Sequence, residues 1–339
     1  MTLRWGIVTA GRISHDFVNA FNSYPNKEDQ EIVAVAARNK SRAADFAKTH
    51  GIPKVFDSYE AMAKSNDIDV AYIGSLNSEH YELSILFLEN GKHVLCEKPF
   101  CLNAKQTRSV ISLAKKKKLF VMEAVWTRFS PAYIDLEKDI QNGKLGDIKF
   151  IEADFGIVSP DDRSTHIKEF GGGAILDVGV YVLQLPQFVW KQDPKRITTV
   201  GSLYDSGVDL AETIILEYEG GKRAVLNIHT QQEFWNKATI YGTKGRVTLE
   251  QPFHFPHIVI DVDGTTKEYP LHSSKLPYNF TNSPGLVYQA LEVARCIRAG
   301  LIESPRMTHD ESMGLALLED IIRRQLGVHF DADDKEYPW

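Results

Sequence analysis

Leu3-Arg4-Trp5-Gly6-Ile7-Val8-Thr9-Ala10-Gly11-Arg12-Ile13-Ser14 opens with an apolar run that breaks at a turn and gives way to a helical pattern. Leu3 to Thr9 suits a pleated strand. Thr9 to Ser14 holds the positions of Gly-x-Gly-x-x-Gly, but only the middle glycine, Gly11, is present. A glycine there lets the backbone approach a pyrophosphate, which rests on the N-terminal amides of the following helix. A plain strand-to-helix turn is the other reading. Position favours the first, because this is the opening turn of a βαβ series.

The series continues with strands expected at Ile32 to Ala37, Val70 to Ser75, His93 to Cys96 and Leu119 to Glu123, separated by amphipathic stretches. Such alternation implies a mostly parallel sheet covered on both faces. Residues 1–123 are therefore expected to form a doubly wound Rossmann domain. After Glu123 one helical stretch, Gly173 to Trp190, precedes extended segments at Ile197 to Leu203, Thr213 to Tyr218, Ala224 to His229, Ala238 to Tyr241, Arg246 to Glu250 and Ile258 to Val262. Turns such as Glu219-Gly220-Gly221-Lys222 and Gly242-Thr243-Lys244-Gly245 separate them, and helices are expected at about Gly285 to Ala299 and Asp310 to Gln325. The fold class is thus α/β, with residues 124–339 forming an α+β domain on a large open, mainly antiparallel sheet.

A chain of 339 residues, 43% hydrophobic and 25% charged, is ordinary globular chemistry at a length that divides into two domains. A formal net charge of −6 gives no general attraction to nucleic acid or an anionic membrane. Neither partner is expected, and a small molecule is. No apolar run of the roughly 20 residues that span a bilayer is expected, and the N-terminus shows no leader pattern, so the cytoplasm is the expected location. Cys96, Cys101 and Cys296 match no common zinc or redox spacing and are expected to be reduced. The eleven histidines show no metal-binding pattern, so no metal site is expected. The Lys115 to Lys118 run reads as a solvated helix end or, less simply, a phosphate-binding patch.

Three places carry chemistry. At the end of the second strand, Ala36-Ala37-Arg38-Asn39, with Arg42 close behind, offers no carboxylate for a ribose hydroxyl. Arg38 can instead pair with a 2′-phosphate, which selects NADP; a solvated arginine at a sheet edge is the alternative. Cys96-Glu97-Lys98-Pro99 follows a strand at the carboxyl edge of the sheet, where open α/β sheets bind ligands. Lys98 there can donate to a substrate hydroxyl, or form a surface salt bridge. Gly171-Gly172-Gly173 leads into a helix on which Asp177 and Tyr181 share a face. Tyr181, its pKa lowered by a nearby ammonium, would be a general base, or else a core tyrosine with its hydroxyl satisfied.

Together these motifs resemble the glucose-fructose oxidoreductase, inositol dehydrogenase and MocA family, over essentially the whole chain. Tyr181, with Met122 to Phe129 and the opening Leu3 to Val8, is similar to its dimeric dihydrodiol dehydrogenases, which use NADP and also oxidise D-xylose. The resemblance implies catalytic roles for Lys98 and Tyr181 with support from Asp177. It implies cofactor contacts from Thr9, Gly11, Arg12, Ile13, Arg38 and Arg42, and also from Ser75, Asn77, His80, Glu97 and Lys98. Trp126, Arg128, Phe155 and Phe280 would line the substrate site with Asp177 and Tyr181. Oxidation of a trans-dihydrodiol or an aldose is the leading expectation. Reduction of a keto-sugar or dicarbonyl compound is the second, and a silent NADP-binding sensor or scaffold the third. The C-terminal strands present mixed outer faces, with Thr213, Ile215, Glu217, Asn227 and His229 among apolar neighbours. Helices from Gly173 and Gly285 can cover only one face, so the other is expected to meet a second copy in a homodimer.

Overall fold

Six short strands build the first sheet: β1 (Leu3–Val8), β2 (Gln30–Ala36), β3 (Lys54–Phe56), β4 (Val70–Ile73), β5 (His93–Glu97) and β6 (Val121–Ala124). They lie in the order β3-β2-β1-β4-β5-β6, all parallel. In this computed structural model, which describes residues 2–27, 29–159 and 164–338, that order reverses between β1 and β4. The reversal opens a crevice at the carboxyl ends of the strands. The central strands β1, β4 and β5 are buried along almost their whole length, as a sheet covered on both faces requires. The connecting helices are α1 (Arg12–Ser23), α2 (Lys40–His50), α3 (Tyr59–Lys64), α4 (His80–Glu89) and α5 (Ala104–Lys117). Lys115, Lys116 and Lys117 occupy the exposed last turn of α5, where cations favour the helix C-terminus. The short strand β3 was not expected.

After α6 (Pro131–Gln141) comes a second sheet of eight strands. They are β7 (Ile148–Gly156), β8 (Arg196–Leu203), β9 (Asp209–Glu217), β10 (Arg223–His229), β11 (Ala238–Gly242), β12 (Gly245–Leu249), β13 (Ile258–Ile260) and β14 (Thr266–Glu268). Their order is β14-β13-β12-β11-β7-β10-β9-β8. All neighbours are antiparallel except β7 and β10. The sequence reading missed β7, which sits in the middle of this sheet.

The helix expected from Gly173 begins instead as a π turn, Ile175–Gly179, and continues as α7 (Val180–Trp190). The stretch Lys168–Trp190 is, by length and composition, apolar enough to cross a membrane, contrary to expectation; 89% of its most apolar window is buried within the protein. It packs on β7 and β10, and α9 (His309–Leu326) packs on β8 and β9. The helix expected to share this task, α8 (Val287–Arg298), lies instead against α1 and the Trp126–Phe129 turn. The opposite face of the sheet is half exposed at Thr213, Ile215, Glu217, Asn227 and His229.

Candidate active site

Gly11 caps α1 in extended geometry, with no side-chain cap and no acid in the first turn. The helix start is therefore open to an anion. It faces a groove of about 630 Å³ walled by Thr9, Gly11, Arg12 and Ile13 on one side and Arg38 and Arg42 on the other. The Tyr59 hydroxyl lies at this groove without a hydrogen-bond partner. An uncapped helix start, a buried orphan hydroxyl and two arginines fit a phosphate-bearing dinucleotide. The expectation that no carboxylate stands near Arg38 is corrected: Glu79 Oε1 lies 2.9 Å from Arg38 Nη1. Glu79 comes from the turn after β4, so the pairing is set by the sheet order and not by the second strand.

Ile13, Ser75, Asp177 and Phe280 border both this groove and an adjoining cleft of about 330 Å³. Asn77 lies on the cleft side, and its Nδ2 donates to the Gly171 carbonyl at 2.9 Å, tying the β4 turn to the triple glycine. Gly171 has φ of 74°, and a side chain there would collide with Leu102, so only glycine makes this close approach. His80 reaches neither hollow. It is buried between the carbonyls of Pro99, 2.7 Å from Nδ1, and Ser75, 3.4 Å from Nε2. Burial pushes its pKa down to about 4, so the ring is neutral, and its single N–H belongs on Nδ1, donating to the Pro99 carbonyl.

The cleft joins Lys98, Asp177 and Tyr181 with Trp126, Phe155 and Phe280. Lys98 Nζ donates to the Asp177 backbone carbonyl at 2.5 Å and lies 3.5 Å from Asp177 Oδ1. Thr165 holds the other carboxylate oxygen at 2.9 Å. Asp209 Oδ2 accepts from the Ile175 amide at 2.6 Å and so caps the turn that carries Asp177. Lys98 Nζ is 5.2 Å from the centre of the Tyr181 ring, and Trp126 Nε1 donates to the Tyr181 hydroxyl at 3.0 Å. The Tyr181 pKa is raised, not lowered as expected. Tyr181 is only 8% exposed, and burial outweighs the opposing pull of Lys98 and the Trp126 N–H. Glu97, at the cleft wall, accepts from the Tyr72 hydroxyl at 2.7 Å, and burial pushes it up to about 7.

Arg128 does not reach the cleft. It is 2% exposed and enclosed by Gln184, Gln187, the Arg306 carbonyl and Glu311, 2.8 Å away. A guanidinium removed from water needs such partners, and they lie behind the Trp126–Phe129 turn. Two cleft features escaped the sequence reading. His254 lies in its wall, and Asp16 on α1 anchors the Asn279-Phe280 segment through both of its oxygens. A lone histidine or aspartate carries no spacing signal. Among the described residues, no group of three or more His, Cys, Asp or Glu is placed to hold a metal ion.

Known proteins point the same way. The description "Oxidoreductase family, NAD-binding Rossmann fold" matches residues 3–125, and the GFO/IDH/MocA C-terminal domain matches residues 133–248. The trans-1,2-dihydrobenzene-1,2-diol dehydrogenase of Danio rerio is 40% identical over 336 residues, covering 99% of this chain and all of that protein. A 3-ketoreductase from Actinomadura kijaniata, solved with NADP, superposes with a TM-score of 0.80 at 24% identity, over 96% of this chain and 98% of that one. A levoglucosan dehydrogenase solved with NADH gives 0.84 at 18% identity, with the same coverage. The chain is thus an oxidoreductase of the GFO/IDH/MocA family, with a nicotinamide-binding Rossmann fold at its N-terminal end.

Proposed function

We propose that the protein oxidises a cyclic vicinal diol, such as a trans-dihydrodiol, or an aldose such as D-xylose, with NADP as preferred cofactor. Residues 1–123 would serve the cofactor and residues 124–339 the substrate. The observation that carries this reading is the meeting of Lys98, Asp177 and Tyr181 in an aromatic cleft that adjoins a groove bearing Arg38 and Arg42. The dihydrodiol activity of a relative matching over its full length supports the substrate class.

A dinucleotide held by Gly11, Arg12, Arg38 and Arg42 would supply the hydride acceptor. Tyr181 takes the hydroxyl proton of the substrate, a step of general base catalysis worth about 10²–10⁴-fold. The Trp126 N–H steadies the phenolate form that accepts this proton, and Tyr181 ends the step as the neutral phenol. Lys98, held by Asp177, donates to the substrate oxygen and stabilises its developing charge. Trp126, Phe155 and Phe280 keep water from the reacting carbon.

The same groups run in reverse reduce a keto-sugar or dicarbonyl compound, with Tyr181 as proton donor. The raised pKa of Tyr181 favours this direction near neutral pH, because the phenol then holds its proton. The proposal extends to a homodimer through the uncovered face of the second sheet. That face carries a hollow of about 660 Å³ bordered by Thr213, Asn227 and His229, and the 74% exposed Trp235 stands beside it. A cytoplasmic location suits three buried free cysteines. The test is cofactor reduction, followed by near-ultraviolet absorbance, across aldoses, polyols and cyclic diols with NADP and NAD. Strong turnover of a diol or aldose with NADP is expected; reduction of neither cofactor by any of them would refute the reading.

A further inference from the structure

His254 sits in the cleft wall, 8% exposed. Its ring stacks on Phe155, with centroids 4.7 Å apart and planes at 18°, and lies 4.7 Å from the Tyr181 ring and 5.9 Å from Trp126. Nδ1 is sealed from solvent and has no hydrogen-bond partner. Burial first, and then the nearby Lys98 ammonium, push the imidazole down to about 3, so it is neutral. A neutral imidazole carries one N–H and one bare lone pair. A sealed N–H without an acceptor is the rarer and costlier of the two. The proton therefore belongs on Nε2, and Nε2 is the ring nitrogen left to meet whatever fills the cleft.

Several other polar groups bordering the cleft are already engaged, and Thr281 lies exposed to water at its edge. Ser283 donates to Asp16 at 2.6 Å and the Asn77 amide to Gly171, while Lys98 and Tyr181 serve the reacting oxygen. A second hydroxyl on the substrate would otherwise be stripped of water among aromatic rings. We propose that His254 is a specificity-determining residue whose Nε2–H donates to that second hydroxyl. The cleft then takes cyclic compounds with adjacent hydroxyls, vicinal diols or pyranose sugars, in preference to monoalcohols of the same size. This inference rests on the diol- or sugar-oxidising function proposed above.

The probes are trans-cyclohexane-1,2-diol and cyclohexanol, which differ by the one hydroxyl. The unmutated enzyme should favour the diol in kcat/KM, and His254→Phe should shrink that preference roughly tenfold, since only one of the probes can lose the bond. His254→Gln, which keeps an N–H donor, should recover part of it. An unchanged preference in His254→Phe overturns the proposal, as does a glutamine variant no better than the phenylalanine one. If the unmutated enzyme oxidises neither probe, the function proposed above fails for this substrate class. The role of His254 is then decided by NMR of ¹⁵N-histidine-labelled, cofactor-saturated protein. A His254 Nε2 shift with the diol and none with cyclohexanol supports the proposal, and no difference between them overturns it.

Discussion

Asp16→Asn tests how the cleft is held together. The segment between β14 and α8 crosses α1 as a strap. It is pinned by Asn19 to the Leu276 carbonyl at 2.8 Å and by His15 to the Pro277 carbonyl at 3.0 Å. Fully buried Asp16 receives the amides of Asn279 and Phe280, each at 2.9 Å, the Asn279 side chain at 2.8 Å and the Ser283 hydroxyl at 2.6 Å. Phe280 is thereby set beneath Arg12, 5.1 Å from its ring centre, at the junction of groove and cleft. Asparagine keeps the volume and one acceptor oxygen, but loses the charge and turns an N–H₂ toward donors. Bonds to a charged acceptor are worth about 1.5–3 kcal/mol each. Losing the equivalent of about two of them, partly offset by relaxation, removes about 3 kcal/mol of strap docking, or roughly 10² in its equilibrium constant. Because the strap can lift alone, global stability should fall by less than this. Native-state hydrogen exchange should show protection of the Asn279 and Phe280 amides falling on the order of 10²-fold, with a raised KM for cofactor and substrate. Unchanged protection with unchanged KM would refute the reasoning.

Tyr181→Phe should lower kcat on the order of 10²-fold or more with cofactor affinity nearly unchanged, and near-normal turnover would return Tyr181 to a packing role. Since its pKa lies above the ordinary phenol value, kcat/KM for oxidation should climb with pH through the alkaline range as the base form fills; a plateau already reached at neutral pH would contradict this. Arg38→Ala should raise the KM for NADP roughly tenfold or more while sparing NAD, and an equal loss for both cofactors would remove the 2′-phosphate assignment. Arg128→Met should cost about 3–5 kcal/mol in denaturant unfolding, because Glu311 is left without its partner, while substrate preference stays the same; altered substrate preference would restore Arg128 to the site. Sedimentation at micromolar concentration should give about twice the 38.2 kDa chain mass, and a species at the chain mass alone would exclude the dimer.

The Rossmann half was legible because its signals are local. Strand, glycine turn and helix follow one another within about twenty residues, and a period of two or of 3.6 shows in any short window. Lys98 after its strand, and the glycines ahead of Asp177 and Tyr181, were legible for the same reason. The structure brings all three side chains into one cleft, even though Asp177 lies in a π turn ahead of the helix that carries Tyr181. β7 was missed although its burial alternates along much of the strand; its place between β10 and β11 is a matter of topology that no window contains.

Tertiary structure alone decided the remaining features. Glu79 meets Arg38 only because β4 lies beside β1. Arg128 is enclosed by residues from α7 and α9, and Phe280 is set by an aspartate more than 260 positions earlier in the chain. Above all, the sequence could name an ammonium and a phenol as partners, but the sign of the phenol's pKa shift depends on how much water the fold removes. Burial acts on the whole ring and hydroxyl while Lys98 acts from one side, so desolvation prevails. The sequence by itself determined which chemical groups are present and the local frame that carries them. Their environment, and hence their charge state and working partners, came from contacts between segments far apart along the chain.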